Sequence, residues 1–216
     1  MIKCILIAFY LLSLNFITTQ AYCNLVTNGS FELGVYDNTD ADSRTDIMLI
    51  TPGMTNITGW IVTGSKGLHW LSYADAATDG LYSVDLQGEN PPGEYSSLWT
   101  EFSTEIGKTY TLTFDAFTGN VINSASVSVG SLTNQFFNGA GPASGSSTVF
   151  EEYEYSFTAV DSISKLIFQV TATDGYGPVV DNICIEESSP VPEPATMILF
   201  GTGIVGLAAA GRRKKI

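Results

Sequence analysis

Residues 22–187 of this 216-residue chain predict an all-β domain, an antiparallel β-sandwich, and three observations carry that reading. Apolar and polar side chains alternate with a period of two in run after run, which puts successive side chains on opposite faces of a half-buried strand. Clusters of Gly, Pro and Asn separate the runs as turns and loops, ENPPGE and NGAGPASGSS among them. No stretch of this region has the 3.6-residue periodicity of an amphipathic helix, and eight or more short strands without a helix pack as two sheets.

The chain opens with MIKCILIAFYLLSLNFITTQAYC. Lys3 precedes an apolar centre from Ile5 to Ile17, then come TTQ and the small Ala21, the order of a secretory signal over residues 1–21. Thr19 and Ala21 occupy the third and first positions before a cut ahead of Tyr22. An uncleaved membrane anchor is the alternative, but the apolar centre falls short of the ~20 residues that span a bilayer. The strand candidates follow in order: GWIVTG (59–64), GLYSVDLQG (80–88), LWTEFS (98–103), TYTLTFDAF (109–117), ASVSVG (125–130), EEYEYSFTA (151–159), KLIFQVT (165–171) and VVDNICIE (179–186). In the fourth, Tyr110, Leu112, Phe114 and Ala116 take one face and Thr109, Thr111, Thr113 and Asp115 the other. In the sixth, Tyr153, Tyr155, Phe157 and Ala159 alternate with Glu152, Glu154, Ser156 and Thr158. A short linker, 188–191, leads to the C-terminal segment, 192–216.

Between signal and tail, residues 22–190 hold Arg44, Lys66, Lys108 and Lys165 against 21 acidic residues, a balance of 4 − 21 = −17. Such a surface repels nucleic acid, whose affinity rests on basic side chains meeting phosphates. Cys4 would leave with the signal, and Cys23 and Cys184 remain. In an oxidising compartment two cysteines suggest one disulfide, worth about 4–5 kcal/mol in chain-entropy terms across so long a loop. Two separate buried thiols are the alternative.

Six segments in order, NLVTNGSFELG, GWIVTG, DGLYSVDLQG, FSTEIGKTYTLTFDAFTG, YEYSFTA and DGYGPVVDNICIE, resemble the galactose-binding-like jelly-roll superfamily, which includes many carbohydrate-binding modules. The resemblance covers about residues 24–187 and is closest to the uncharacterised branch of plant cell-wall and bacterial proteins. It implies a jelly roll. It also implies a structural Ca²⁺ held by Glu32, beside the first strand, and Asp181, near the last, since hard oxygen ligands suit that ion. Capping of strand ends by the same two acids is the competing role. The acidic stretch YDNTDADSRTD makes no EF-hand loop: Ser43 stands where glycine is needed, and Leu49 where the bidentate acid belongs.

Sugar-binding modules stack aromatic rings on pyranose faces. Trp60 reads as core, whereas Trp70, Tyr73 and Asp75 in LHWLSYADAATDG are the candidate carbohydrate-binding residues; Trp99 and Tyr176 are equally open to packing or binding. Catalysis has little support. His69 is the single histidine, and no nucleophile elbow, zinc helix or phosphate loop is present, so the expectation is a non-enzyme.

The tail reads VPEPATMILFGTGIVGLAAAGRRKKI. Pro192, Glu193 and Pro194 precede an apolar run from Ala195 to Gly211, a short transmembrane helix by its length. Arg212, Arg213, Lys214 and Lys215 then act as a membrane stop that stays cytoplasmic. The order resembles the PEP-CTERM sorting signal, which implies recognition by an exosortase-type membrane protease. The expectation is therefore an exported protein, membrane-anchored as a precursor and then placed at the cell surface or in the extracellular matrix. Its expected partners are that protease, the membrane before processing, and an exopolysaccharide or other glycan. A structural matrix protein without a discrete sugar site is the alternative function.

Overall fold

A computed structural model describes residues 24–37, 45–72, 75–87, 95–118, 125–137, 149–170 and 178–188. Every regular element among them is a strand: β1 Ile47–Ile50, β2 Ile61–Gly64, β3 Leu68–Leu71, β4 Ser83–Asp85, β5 Ser96–Ser103, β6 Thr109–Thr118, β7 Ala125–Val129, β8 Leu132–Phe137, β9 Glu151–Thr158, β10 Ile163–Val170 and β11 Pro178–Glu187. They form a six-stranded sheet, β1-β3-β4-β11-β6-β9, facing a five-stranded sheet, β2-β5-β10-β7-β8. All pairings are antiparallel. The expected sandwich is there. The signal helix and the transmembrane helix fall outside the described residues. Three strands stand outside those candidates, β1, β3 and β8: β3 falls in the LHWL stretch read for binding, and Thr133, Asn134 and Gln135 in β8 are polar and exposed, so they carry no alternation.

The alternation in β6 and β9 does what it predicts. Tyr110, Leu112, Phe114 and Ala116 are buried, and Tyr153 and Tyr155 lean on the same core. Phe114 is its hub, stacked on Tyr153 at 5.4 Å and meeting Phe137 and Phe168 edge-on at 5.0 and 5.1 Å. Such ring pairs are worth about 0.5–1.5 kcal/mol each beyond the area they bury.

The NGSFE turn closes one side of the sandwich against β11. A side chain on Gly29 would run into the Ile183 carbonyl, and the Ile183 N–H donates to the Gly29 carbonyl. Asn28 sits at φ 60° and ties the turn together: its amide donates to the carbonyls of Leu33 and Thr58 and accepts from the Leu33 N–H. Phe31 also has a left-handed backbone, φ 59°, which costs a bulky residue about 1–3 kcal/mol. Complete burial of its ring, 5.1 Å from Trp60, offsets that cost. Within β11 a bulge between Asp181 and Cys184, with Asn182 at φ 51°, resets the alternation so that Ile183 and Ile185 both point into the core.

Candidate carbohydrate-binding face

Along β5, Leu98, Thr100 and Phe102 are buried, which turns Trp99, Glu101 and Ser103 to the outside of the five-stranded sheet. In β10, Leu166 and Phe168 point inward, and Lys165, Ile167 and Gln169 point outward. Antiparallel register aligns these into rows. Ile61, Trp99, Ile167 and Ser128 form one row across four strands, and Thr63, Ser97, Gln169, Ser126 and Phe136 form the next. Trp99 is half-buried at the centre, with the Lys165 ammonium 3.4 Å above its ring centroid. A cation over an indole face is held by the ring quadrupole, about 0.5–1 kcal/mol at an exposed site. The surface is an indole flanked by aliphatic side chains, rimmed by an ammonium, an amide, hydroxyls and the Glu101 carboxylate. Chemically, it can stack against the C–H face of a sugar ring and bond the hydroxyls around its edge.

The opposite sheet does not offer such a surface. Leu71, Ala76 and Val179, with Ile47, Phe117 and Phe150, form a second small apolar cluster that covers part of its outer face. Asp115, Glu152, Glu154 and Glu186 populate the rest. His69 lies there too, Nδ1 4.0 Å from Asp85 Oδ2.

The sugar-binding expectation at Trp70 is corrected by its burial. Trp70 pairs with Met48 and Val84 on the inner face of the six-stranded sheet, 1% exposed, and its ring is covered by Tyr36 and Tyr82 at 5.2 and 4.9 Å. A ring buried to this degree cannot receive a sugar. Asp75 is exposed in the following loop at φ 69°, and Tyr73 lies outside the described residues. Trp60 is 2% exposed and in the core, as expected. Trp99 is therefore the one tryptophan of three at the surface. The signal in the sequence was the alternation of LWTEFS, which opposes Trp99 to Leu98 and Phe102.

Glu32 and Asp181 do meet one structure in common, the loop of residues 78–82. Asp181 is wholly buried; its Oδ2 accepts the N–H groups of Thr78 and Asp79 at 2.7 and 2.9 Å and the Thr78 hydroxyl at 3.3 Å. Its Oδ1 accepts the Asn182 N–H at 2.7 Å. Glu32 Oε1 accepts the N–H groups of Leu81 and Tyr82, both at 2.7 Å, and a side chain at Gly80 would run into its carboxyl. Asp115 completes the cluster, accepting the Thr78 hydroxyl and the Asn182 amide. Burial pushes the Asp181 carboxyl up to about 6, opposed by those N–H donors. A calcium cage needs six to eight oxygens converging on one point. Here both acids face N–H donors, and among the described residues no group of three or more His, Cys, Asp or Glu side chains converges. Among the described residues this donor set makes two clamps on one loop rather than a converging oxygen cage.

Cys184 is half-buried on the outer face of β11, its thiol 3.5 Å from Glu186 Oε1 and pushed up to about 11 by burial. Cys23 lies outside the described residues, as do Pro192, Glu193, Pro194 and Arg212, Arg213, Lys214 and Lys215.

Two family models match. Residues 24–186 match the family described as "Protein of unknown function (DUF642)". The chain belongs to the DUF642 family. Residues 190–214 match the PEP-CTERM protein-sorting motif, so this DUF642 protein carries the signal for export and exosortase-dependent placement at the cell surface or outside it. A search of curated proteins finds no match. Among solved structures, the carbohydrate-binding module TmCBM61 in complex with β-1,4-galactotriose is similar, with a TM-score of 0.54 and 15% identity over 77% of this chain and 99% of that one. A family 16 carbohydrate-binding module aligns with a TM-score of 0.45 and 15% identity, over 76% of this chain and 100% of that one. An arabinose-bound GH51 α-L-arabinofuranosidase aligns with a TM-score of 0.49 and 12% identity over 76% of this chain, but only 26% of its own length. The first of these likenesses shows the shared sandwich fold.

Proposed function

We propose that this DUF642 domain is a non-catalytic glycan-binding module, delivered by its tail to the cell surface or the surrounding polysaccharide, and that it binds through the outer face of the five-stranded sheet. One observation carries the reading: the single surface tryptophan, Trp99, lies on the outer face of the five-stranded sheet, among side chains that can donate to and accept from sugar hydroxyls. The similarity in fold to a module whose structure holds a galactotriose supports the ligand class. The polymer made by the producing cell is the natural candidate, because the sorting tail retains the domain near it. Before processing, the tail anchors the precursor in the membrane.

Stacking of a sugar on an exposed indole changes its emission, so titration with glycans can be followed by tryptophan fluorescence as well as on arrays. Trp99→Ala should abolish binding and leave the melting temperature within a few degrees of the wild type. Trp70→Ala should instead lower stability by about 3–5 kcal/mol, the cost of emptying a buried indole site. Array binding that survives Trp99→Ala would sink the assignment of this face.

A further inference from the structure

One end of the domain carries a cluster of exposed apolar side chains. The β5–β6 turn, residues 104–108, and the β9–β10 turn, residues 159–162, lie side by side: the Gly107 N–H donates to the Ala159 carbonyl at 2.8 Å, the Ala159 N–H to the Lys108 carbonyl at 2.9 Å, and the Thr104 N–H to the Ser162 carbonyl at 3.0 Å. From these two turns and the start of β10 three β-branched aliphatic side chains reach into solvent, Ile106 at 69%, Val160 at 56% and Ile163 at 59% exposure. Single exposed aliphatics are ordinary, but three on adjoining turns make a small apolar tip.

The chain leaves the domain at the same end. β11 finishes at Glu187 opposite Tyr110, the Ser188 N–H donates to the Thr109 carbonyl at 2.9 Å, and the Lys108 ammonium bridges Glu105 and Glu187 at 3.0 Å each. Ser188 is therefore pinned next to the turn that carries Ile106. Seven residues further on, the apolar run of the tail begins at Ala195, and seven residues reach about 25 Å at full stretch. A precursor whose tail lies in a bilayer holds Ser188, beside this tip, within that distance of the lipid surface, at the high effective concentration a short tether gives.

We infer that the tip formed by Ile106, Val160 and Ile163 rests on the membrane surface in the tail-anchored precursor, which turns the Trp99 face sideways to the bilayer. The inference rests on the reading of the tail as a membrane anchor. The partner is a bilayer surface without net negative charge. Lys108 is already paired with two carboxylates, and Asp161 and Glu105 flank the apolar side chains, so anionic lipid is repelled and the contact is apolar. Once the tail is cut, the tether is gone and three aliphatic side chains alone hold the domain too weakly to keep it on the membrane.

The test uses the full-length chain reconstituted in phosphatidylcholine–phosphatidylethanolamine vesicles, with the photocrosslinker benzoylphenylalanine incorporated at position 106 or, as a control on the glycan face, at position 136. Flotation with the vesicles reports the tail; lipid adducts found by mass spectrometry report the tip. The expected result is flotation of both chains and at least fivefold more lipid adduct from position 106 than from position 136. That excess should fall when Val160→Ser and Ile163→Ser are added, or when a third of the lipid is replaced by phosphatidylglycerol. Flotation with equal adducts at the two positions overturns the tip's role and leaves the anchor standing. A chain that does not float overturns the anchor, and the inference with it.

Discussion

Asp181 and Glu32 show how a residue can be legible in kind while its partners are not. Both were visible as acids at the two ends of the domain, and both belong to one cluster. What the sequence does not carry is the direction of the partners, because the loop they bind turns its N–H groups, not its carbonyls, towards them. The two carboxylates fix residues 78–82 from opposite ends of the chain, Asp181 through Thr78 and Asp79, Glu32 through Leu81 and Tyr82. Glu32→Gln should therefore lower the melting temperature in the presence or absence of calcium, and a chelator should leave the wild-type curve unmoved. A fall in melting temperature on chelation, lost in Glu32→Gln, would restore the metal. Asp181 adds a pH term. Its carboxyl lies at about 6 in the folded protein against an ordinary 3.8, so the folded state binds the proton more tightly. The stability this contributes is complete below 3.8 and is lost as pH rises through about 6, an effect of about 3 kcal/mol at most. Chemical denaturation across that window should show the wild type losing stability relative to Asp181→Asn as pH rises.

At the scale of the strand, period-two alternation was legible wherever one face is buried and the other wet, as in β5, β6, β9 and β10. It placed Trp99 opposite Leu98 and Phe102, yet it could not say which sheet face stays open, because that depends on loops packing from elsewhere. Trp70 illustrates the limit: in LHWL neighbouring positions are buried on both faces, a pattern with no contrast to read. The bulge in β11 was invisible for a similar reason, since one inserted residue leaves composition unchanged. Its consequence bears on the cysteines. The first described residues zip along β11, with the Leu25 N–H donating to the Ile185 carbonyl and the Asn24 side chain bonding both the Ile183 carbonyl and the Ile185 N–H. Those contacts bracket Cys184, and Cys23 is the residue before Asn24. A bridge between them would close nearly the whole domain and constrain the unfolded chain strongly. Peptide mapping of the mature protein without reduction should recover Cys23 and Cys184 in one linked pair. Two alkylatable thiols in denatured, unreduced protein would contradict it, and Cys23→Ser should then cost little stability.

Taken as a whole, the molecule divides its tasks by surface. The termini of the described domain, Asn24 and Ser188, both lie beside the last part of β11. The basic residues follow the same division. Four of nine stand after the apolar run, while the body between signal and tail has four against 21 acids. A body of that charge is repelled by anionic lipid, so under the proposed reading retention at the membrane would depend on the tail and release on cutting it. Six residues separate Ser188, the last described residue, from Ala195, where the apolar run begins. Pro192, Glu193 and Pro194 stand in that stretch, and Glu193 is its one charged residue. Changing Glu193→Ala or Pro194→Ala should leave the domain folded, with an unaltered melting temperature, but should hold the full-length form in the membrane fraction of the producing cell. Immunoblots of membrane and medium read the outcome directly. Release at the wild-type rate would show that the protease does not read this motif, whereas accumulation in the membrane with glycan binding intact would separate the sorting device from the binding face.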